Sequence, residues 1–158
     1  MKTIGELRIA KMIEKRLNEL KSKKVIVGVI GNEVDTPKEN GITIKQYAEI
    51  NEYGTSTIPA RPFFRTATKT RDSRAKIQER VEKELRAVIQ GKKTPDQALT
   101  AIGLFVKGRI QKSIKAGNWA ANAPTTIKKK RKKNGTIKPP LIDSGDLIKN
   151  IDFQIKNR

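Results

Sequence analysis

The chain has no cysteine and no histidine among its 158 residues, and only 4% of it is aromatic. Without cysteine there are no disulfides and no thiolate metal sites, which fits assembly in a reducing cytoplasm. Without histidine there is no Ser-His-Asp or Cys-His catalysis, and the commonest general base and metal ligand is missing. Ser-Lys chemistry stays formally open, but lysines are too abundant to single out one pairing. No run of about 18 apolar residues occurs, so no transmembrane helix is expected. The N-terminal stretch is charged throughout and does not read as a signal peptide. No Gly-Lys-Ser/Thr or G-x-G-x-x-G phosphate loop is present. These absences predict a protein that is not an enzyme and needs no cofactor or metal.

Acidic residues are also few. Asp and Glu total 16 against 35 Lys and Arg, a formal charge of +19. Such an excess implies an acidic partner, either nucleic acid or an acidic protein surface. Much of it is local: Lys128, Lys129, Lys130, Arg131, Lys132 and Lys133 are consecutive, and no acid lies between 124 and 138. Six adjacent cations repel one another, which favours a solvated, flexible loop over about 118–140. The alternative is a phosphate-contacting arm, with affinity falling against log salt at a slope of about −5 if all six make contacts. Trp119 either stacks a base or packs in a loop cluster.

Apolar residues make up 35% of the chain, enough for one domain with a small core and a partner surface. Helical spacing recurs at 3–22 and at 44–53, where Thr43 is a candidate N-cap and Gly54 a stop. A long helix is expected over about 62–90, with a polar middle open to a kink. Another should begin at Thr94-Pro95 and end at Gly117. Within it, Gly103 and Gly108 each weaken the helix by about 1 kcal/mol relative to Ala, a cost consistent with close packing. Val25–Ile30 is a β-branched run, and Ile151, Phe153 and Ile155 alternate with polar residues; both read as strands. The expected fold is α+β: a small mixed or antiparallel sheet packed against long helices, in a single domain over residues 1–158.

The most informative stretch is Glu52-Tyr53-Gly54-Thr55-Ser56-Thr57-Ile58-Pro59-Ala60-Arg61-Pro62-Phe63-Phe64-Arg65. Gly54 permits positive φ, and Pro59 and Pro62 stiffen the segment after it. The stretch reads either as a loop leading into a helix with the phenylalanines in the core, or as a rigid docking element. Further on, Asp143 and Asp146 flank Gly145. They suit a cation site or, with better support, a helix start capped by Asp143 or Ser144.

Glu-Tyr-Gly-Thr, then Ile-Pro-Ala-Arg-Pro-Phe, resembles the signature of small tail-completion or head–tail joining proteins of tailed bacteriophages, including the minor tail protein Z type. Pro140-Leu141-Ile142-Asp143-Ser144-Gly145-Asp146-Leu147 is similar to the family's second motif, with Ser144 in place of the usual Thr. Ile102-Gly103 and Pro124-Thr125-Thr126-Ile127-Lys128 fall between them in the expected order. The resemblance spans about 45–156. It implies a structural virion protein of the neck or tail end, made in the host cytoplasm and working as a ring, often sixfold. Its neighbours would be connector, tail-terminator or tail-tube proteins, with nonspecific DNA contact and no membrane. The residues then expected to dock subunits are Tyr53, Gly54, Ile58, Pro59, Arg61, Pro62, Phe63 and Phe64. On this view Phe63→Ala blocks particle assembly and leaves the monomer folded. The 128–133 cations would meet DNA or the connector. The competing class is a nucleic-acid-binding basic protein without sequence preference; a toxin or nuclease fits least.

Overall fold

A computed structural model describes residues 3–135, 139–142 and 144–158, without the side chains of 130 and 132–134. Its elements run α1 (Ile4–Lys21), β1 (Lys23–Val29), α2 (Ile44–Tyr53), α3 (Phe63–Thr68), α4 (Arg71–Ile89), α5 (Pro95–Lys115), α6 (Pro124–Asn134), α7 (Asp146–Lys149) and β2 (Ile151–Asn157). This is the expected α+β arrangement, with one antiparallel strand pair.

Threonine starts α1, α2, α4 and α5. Thr3, Thr43 and Thr94 form capping boxes with Glu6, Gln46 and Gln97. Each box satisfies two otherwise orphaned N–H groups. Another, Thr70, divides what the apolar spacing joins into one helix over 62–90. Its backbone is extended and its Oγ1 accepts the Ser73 N–H at 3.2 Å, so α4 restarts shortly after α3 ends. The side-chain cap outcompetes continuation of the helix here.

Helix α5 is the spine: α1, α3, α4 and both strands pack against it. The strands pair from Lys23↔Asn157 to Val29↔Ile151, which places Val25, Val27 and Val29 opposite Ile155, Phe153 and Ile151. Gly103 lets the sheet approach. A Cβ there would lie 2.3 Å from Cδ2 of Phe153, whereas one at Gly108 would meet nothing within 4 Å. The two glycines therefore predict opposite outcomes. Gly108→Ala should raise stability by about 1 kcal/mol through helix propensity. Gly103→Ala should lower it by about 1–3 kcal/mol through overpacking. Chemical denaturation of both variants checks this, and two changes of the same sign would refute the packing assignment.

The main core gathers Phe63, Ala67, Ile110, Ile114, Leu141, Leu147 and Ile151 with Val34, Ile44 and Ala48. The N-terminal half of α1 stays outside it: Ile4 is 77% and Leu7 48% exposed. Among the described residues no helix is long and apolar enough to cross a membrane.

One expectation is corrected. The flexible basic loop predicted over 118–140 contains the helix α6. Pro124 occupies its first turn and Gly135 closes it with φ of 70°. Lys and Arg are good helix formers, and cations near a helix C-terminus complement its dipole. Those local gains offset the mutual repulsion that favoured a loop.

Candidate functional site

The two sequence motifs meet in space. The chain of the first runs from α2 through the proline segment to α3, and Glu52 ties its ends together. This buried carboxylate accepts the N–H groups of Phe64 (2.8 Å) and Arg65 (2.9 Å) at the start of α3. It also receives Arg65 Nε at 2.9 Å, while Arg65 Nη2 donates to the Glu52 carbonyl at 2.6 Å. An anion at a helix N-terminus satisfies orphan donors and opposes the dipole. The turn between them depends on Gly54, whose φ is 77° and whose absent Cβ would lie 2.8 Å from the Ala60 nitrogen.

Arg61 is the second tie, and only 5% of it is exposed. Its N–H donates to Asn51 O at 2.6 Å and its Nη1 to Asn51 Oδ1 at 2.7 Å. Nε reaches the Ala120 carbonyl at 2.8 Å; Nη2 reaches Ala121 O at 3.1 Å and Asn122 Oδ1 at 3.3 Å. The guanidinium fork thus bonds α2 and the strap leading into α6 at once, a geometry that lysine does not offer.

A groove of about 630 Å³ opens beside these ties. Ile58 and Pro59 of the first motif form part of its lining, Leu141 and Leu147 of the second another part, and Thr126 of α6 a third. Leu141 is buried at φ 66°, a left-handed conformation that costs a leucine about 1–2 kcal/mol and is held by its burial. At the rim Lys38 pairs with Asp146 at 3.3 Å. A hydrogen bond from Ser144 and the Lys38 ammonium hold the Asp146 carboxyl below its ordinary value, against the opposing effect of burial.

The expected docking residues divide accordingly. Tyr53 is exposed, with the Arg65 guanidinium 5.0 Å from its ring centroid. Pro59 is exposed and Ile58 half-buried on the groove wall. Gly54 and Pro62 shape the backbone. Phe63 is corrected: at 1% exposure it belongs to the core of its own chain, and Phe64 packs half-buried against that core. Arg61 is likewise an internal clamp. The amphipathic α3 needs an apolar face, and Phe63 supplies it.

Among the cations, Lys128, Lys129 and Arg131 belong to α6, and all three are exposed there. The side chains of Lys130, Lys132 and Lys133 lie outside the described residues. Trp119 packs against the core and donates from Nε1 to Ser113 O at 3.2 Å, which suits the loop-cluster reading. The expected cap also shifts. Asp143 lies outside the described residues, and Gly145, with φ of 85°, takes the N-cap position of α7. Ser144 Oγ accepts the Asp146 N–H at a long 3.4 Å.

Periodicity and motif spacing assign no role to Glu52 or Asn51. A carboxylate closing a helix ahead of a glycine turn and a proline-led helix is the signal that marks Glu52. No group of three or more metal-ligating side chains occurs among the described residues. Compared with protein-family models, curated proteins and solved structures, the chain gives no match.

Proposed function

We propose that this chain is a structural component of a tailed-phage particle. It completes the tail end and joins it to the head connector as one subunit of a ring, without catalytic activity. The observation carrying this reading is the convergence of two motifs, far apart in sequence, on one groove. Internal ties at Glu52 and Arg61 hold that groove rigid, and rigid surfaces lose little entropy on docking. Its apolar wall, Ile58 and Pro59, receives the neighbouring copy in the ring. The cations of α6 face DNA or acidic connector protein.

Mass spectrometry of nuclease-treated, sedimented particles from an induced producer strain tests the reading. A few to a dozen copies per particle support it. Absence from particles, with recovery in the soluble nucleic-acid fraction, sinks it. Docking has its own check. Ile58→Glu buries a charge in the proposed interface and should cut particle yield about tenfold or more, about 1.4 kcal/mol or more per contact, while thermal melting of the monomer stays unchanged. Normal particle yield would remove Ile58 from the interface.

The exposed cations on α6 favour a second reading, a basic protein coating nucleic acid without sequence preference. It requires tight binding by the isolated chain at physiological salt, with a log–log slope of about −5. Weak binding before assembly is the outcome expected of a ring subunit.

A further inference from the structure

A sheet of two strands has two open edges, and here they differ. The ladder ends at Arg158 N–H to Ser22 O and Ile30 N–H to Asn150 O, each 2.8 Å. Hydrogen-bonded pairs alternate along an antiparallel ladder. With the observed register, even-numbered residues of β1 therefore bond to β2. Val25 and Val27 aim their N–H and C=O groups away from it.

The outer edge of β2 is guarded at Phe153. Asp152 takes the N–H of Phe153 at 2.8 Å and holds the Lys107 ammonium at 2.9 Å. A charge placed on an edge in this way discourages strand addition. On β1, no hydrogen bond among the described residues engages the N–H of Val25 or Val27. The chemistry beside this edge is basic. Lys24 stands directly opposite Lys156 on the exposed face, a like-charge pair that is unfavourable by itself. Neither forms an ion pair among the described residues, whereas Lys23 is already paired with Glu19 and Asp96. Ile26, 39% exposed, lies next to Lys24 on that face.

We propose that the β1 edge at Lys24–Val27 takes up an extended, acidic segment of a partner protein as a third strand. Main-chain bonds at Val25 and Val27 provide the pairing, and carboxylates beside Lys24 offset its repulsion with Lys156 across the ladder. A second copy of this chain is a poorer occupant, because it brings the same lysines on a chain of charge +19. The proposal is independent of the phage reading.

Amide hydrogen exchange on the full chain tests it, using the end-blocked peptides Glu-Val-Glu-Val-Glu-Val-Glu and Lys-Val-Lys-Val-Lys-Val-Lys as probes. The acidic peptide should slow exchange at Val25 and Val27 by about tenfold or more, and the basic one should not. Val25→Pro removes an outward donor without touching the ladder and should abolish the effect. Lys24→Glu with Lys156→Glu leaves the backbone intact and should reverse the peptide preference. No slowing, equal slowing by both peptides, or slowing confined to Ile151–Ile155 would overturn the proposal. Slowing that depends on protein concentration alone would also overturn it, by making the occupant a second copy.

Discussion

Phe63→Ala should destabilise the folded chain by about 3–5 kcal/mol, the range for truncating a buried Phe. The ring is 1% exposed and sits in the cluster that joins α3, α5, α7 and β2. Against a typical total of roughly 5–15 kcal/mol, that loss removes a large part of the stability margin. Thermal melting should fall by roughly 6–20 °C for a chain of this size. Particle assembly would fail as well, but through loss of folded subunit. Ile58→Glu separates the two causes, since it changes a groove wall and leaves the core alone. A Phe63→Ala monomer with unchanged melting and no assembly would restore Phe63 as a docking anchor. It would also contradict its placement in the core.

The contrast between these two residues marks how far the sequence could be read. Helix starts with a local chemical signature were legible: Thr43 before an apolar run, and Thr94 before Pro95. Both strands followed from β-branched content and alternation, because their inner faces pack on α5. The break at Thr70 was half legible: the polar middle of 62–90 left a kink open, but that one side-chain bond makes it a full helix end was not. The α6 helix was hidden. Its bounding Pro124 and Gly135 read equally as loop punctuation, and like charges argued against order.

The site was legible as a place and not as a mechanism. Gly54, Pro59 and Pro62 announced a stiff turn, and the turn is there. Which side chains face inward was set by partners distant in sequence. Arg61 finds its acceptors at Ala120, Ala121 and Asn122, far along the chain, and no periodicity reports such a pairing. The motif reading places Arg61 among the docking residues, on the surface. Only its burial against neutral acceptors shows that its charge contributes little to the surface.

That burial sets the second large effect. Arg61→Ala leaves Asn51 Oδ1 and the carbonyls of Ala120 and Ala121 without their donor. Each such group costs about 1–3 kcal/mol if it stays buried, so the whole site cannot be left dry. The cheaper response is for the strap at 120–122 to open to water, carrying the start of α6 with it. The expected loss of global stability is therefore about 2–4 kcal/mol, less than the sum over unsatisfied groups. Amide exchange should accelerate across 120–126 while α5 remains protected. Arg61→Lys should not rescue, because one ammonium cannot span acceptors on α2 and on the strap together. The consequences for the two proposed functions then diverge. A released α6 keeps its cations, so salt-dependent binding to nucleic acid should survive in Arg61→Ala. The groove loses Thr126 from its wall, so ring assembly should fail. Unchanged exchange at 120–126 in Arg61→Lys would show that the guanidinium is not the tie between the proline segment and the basic helix.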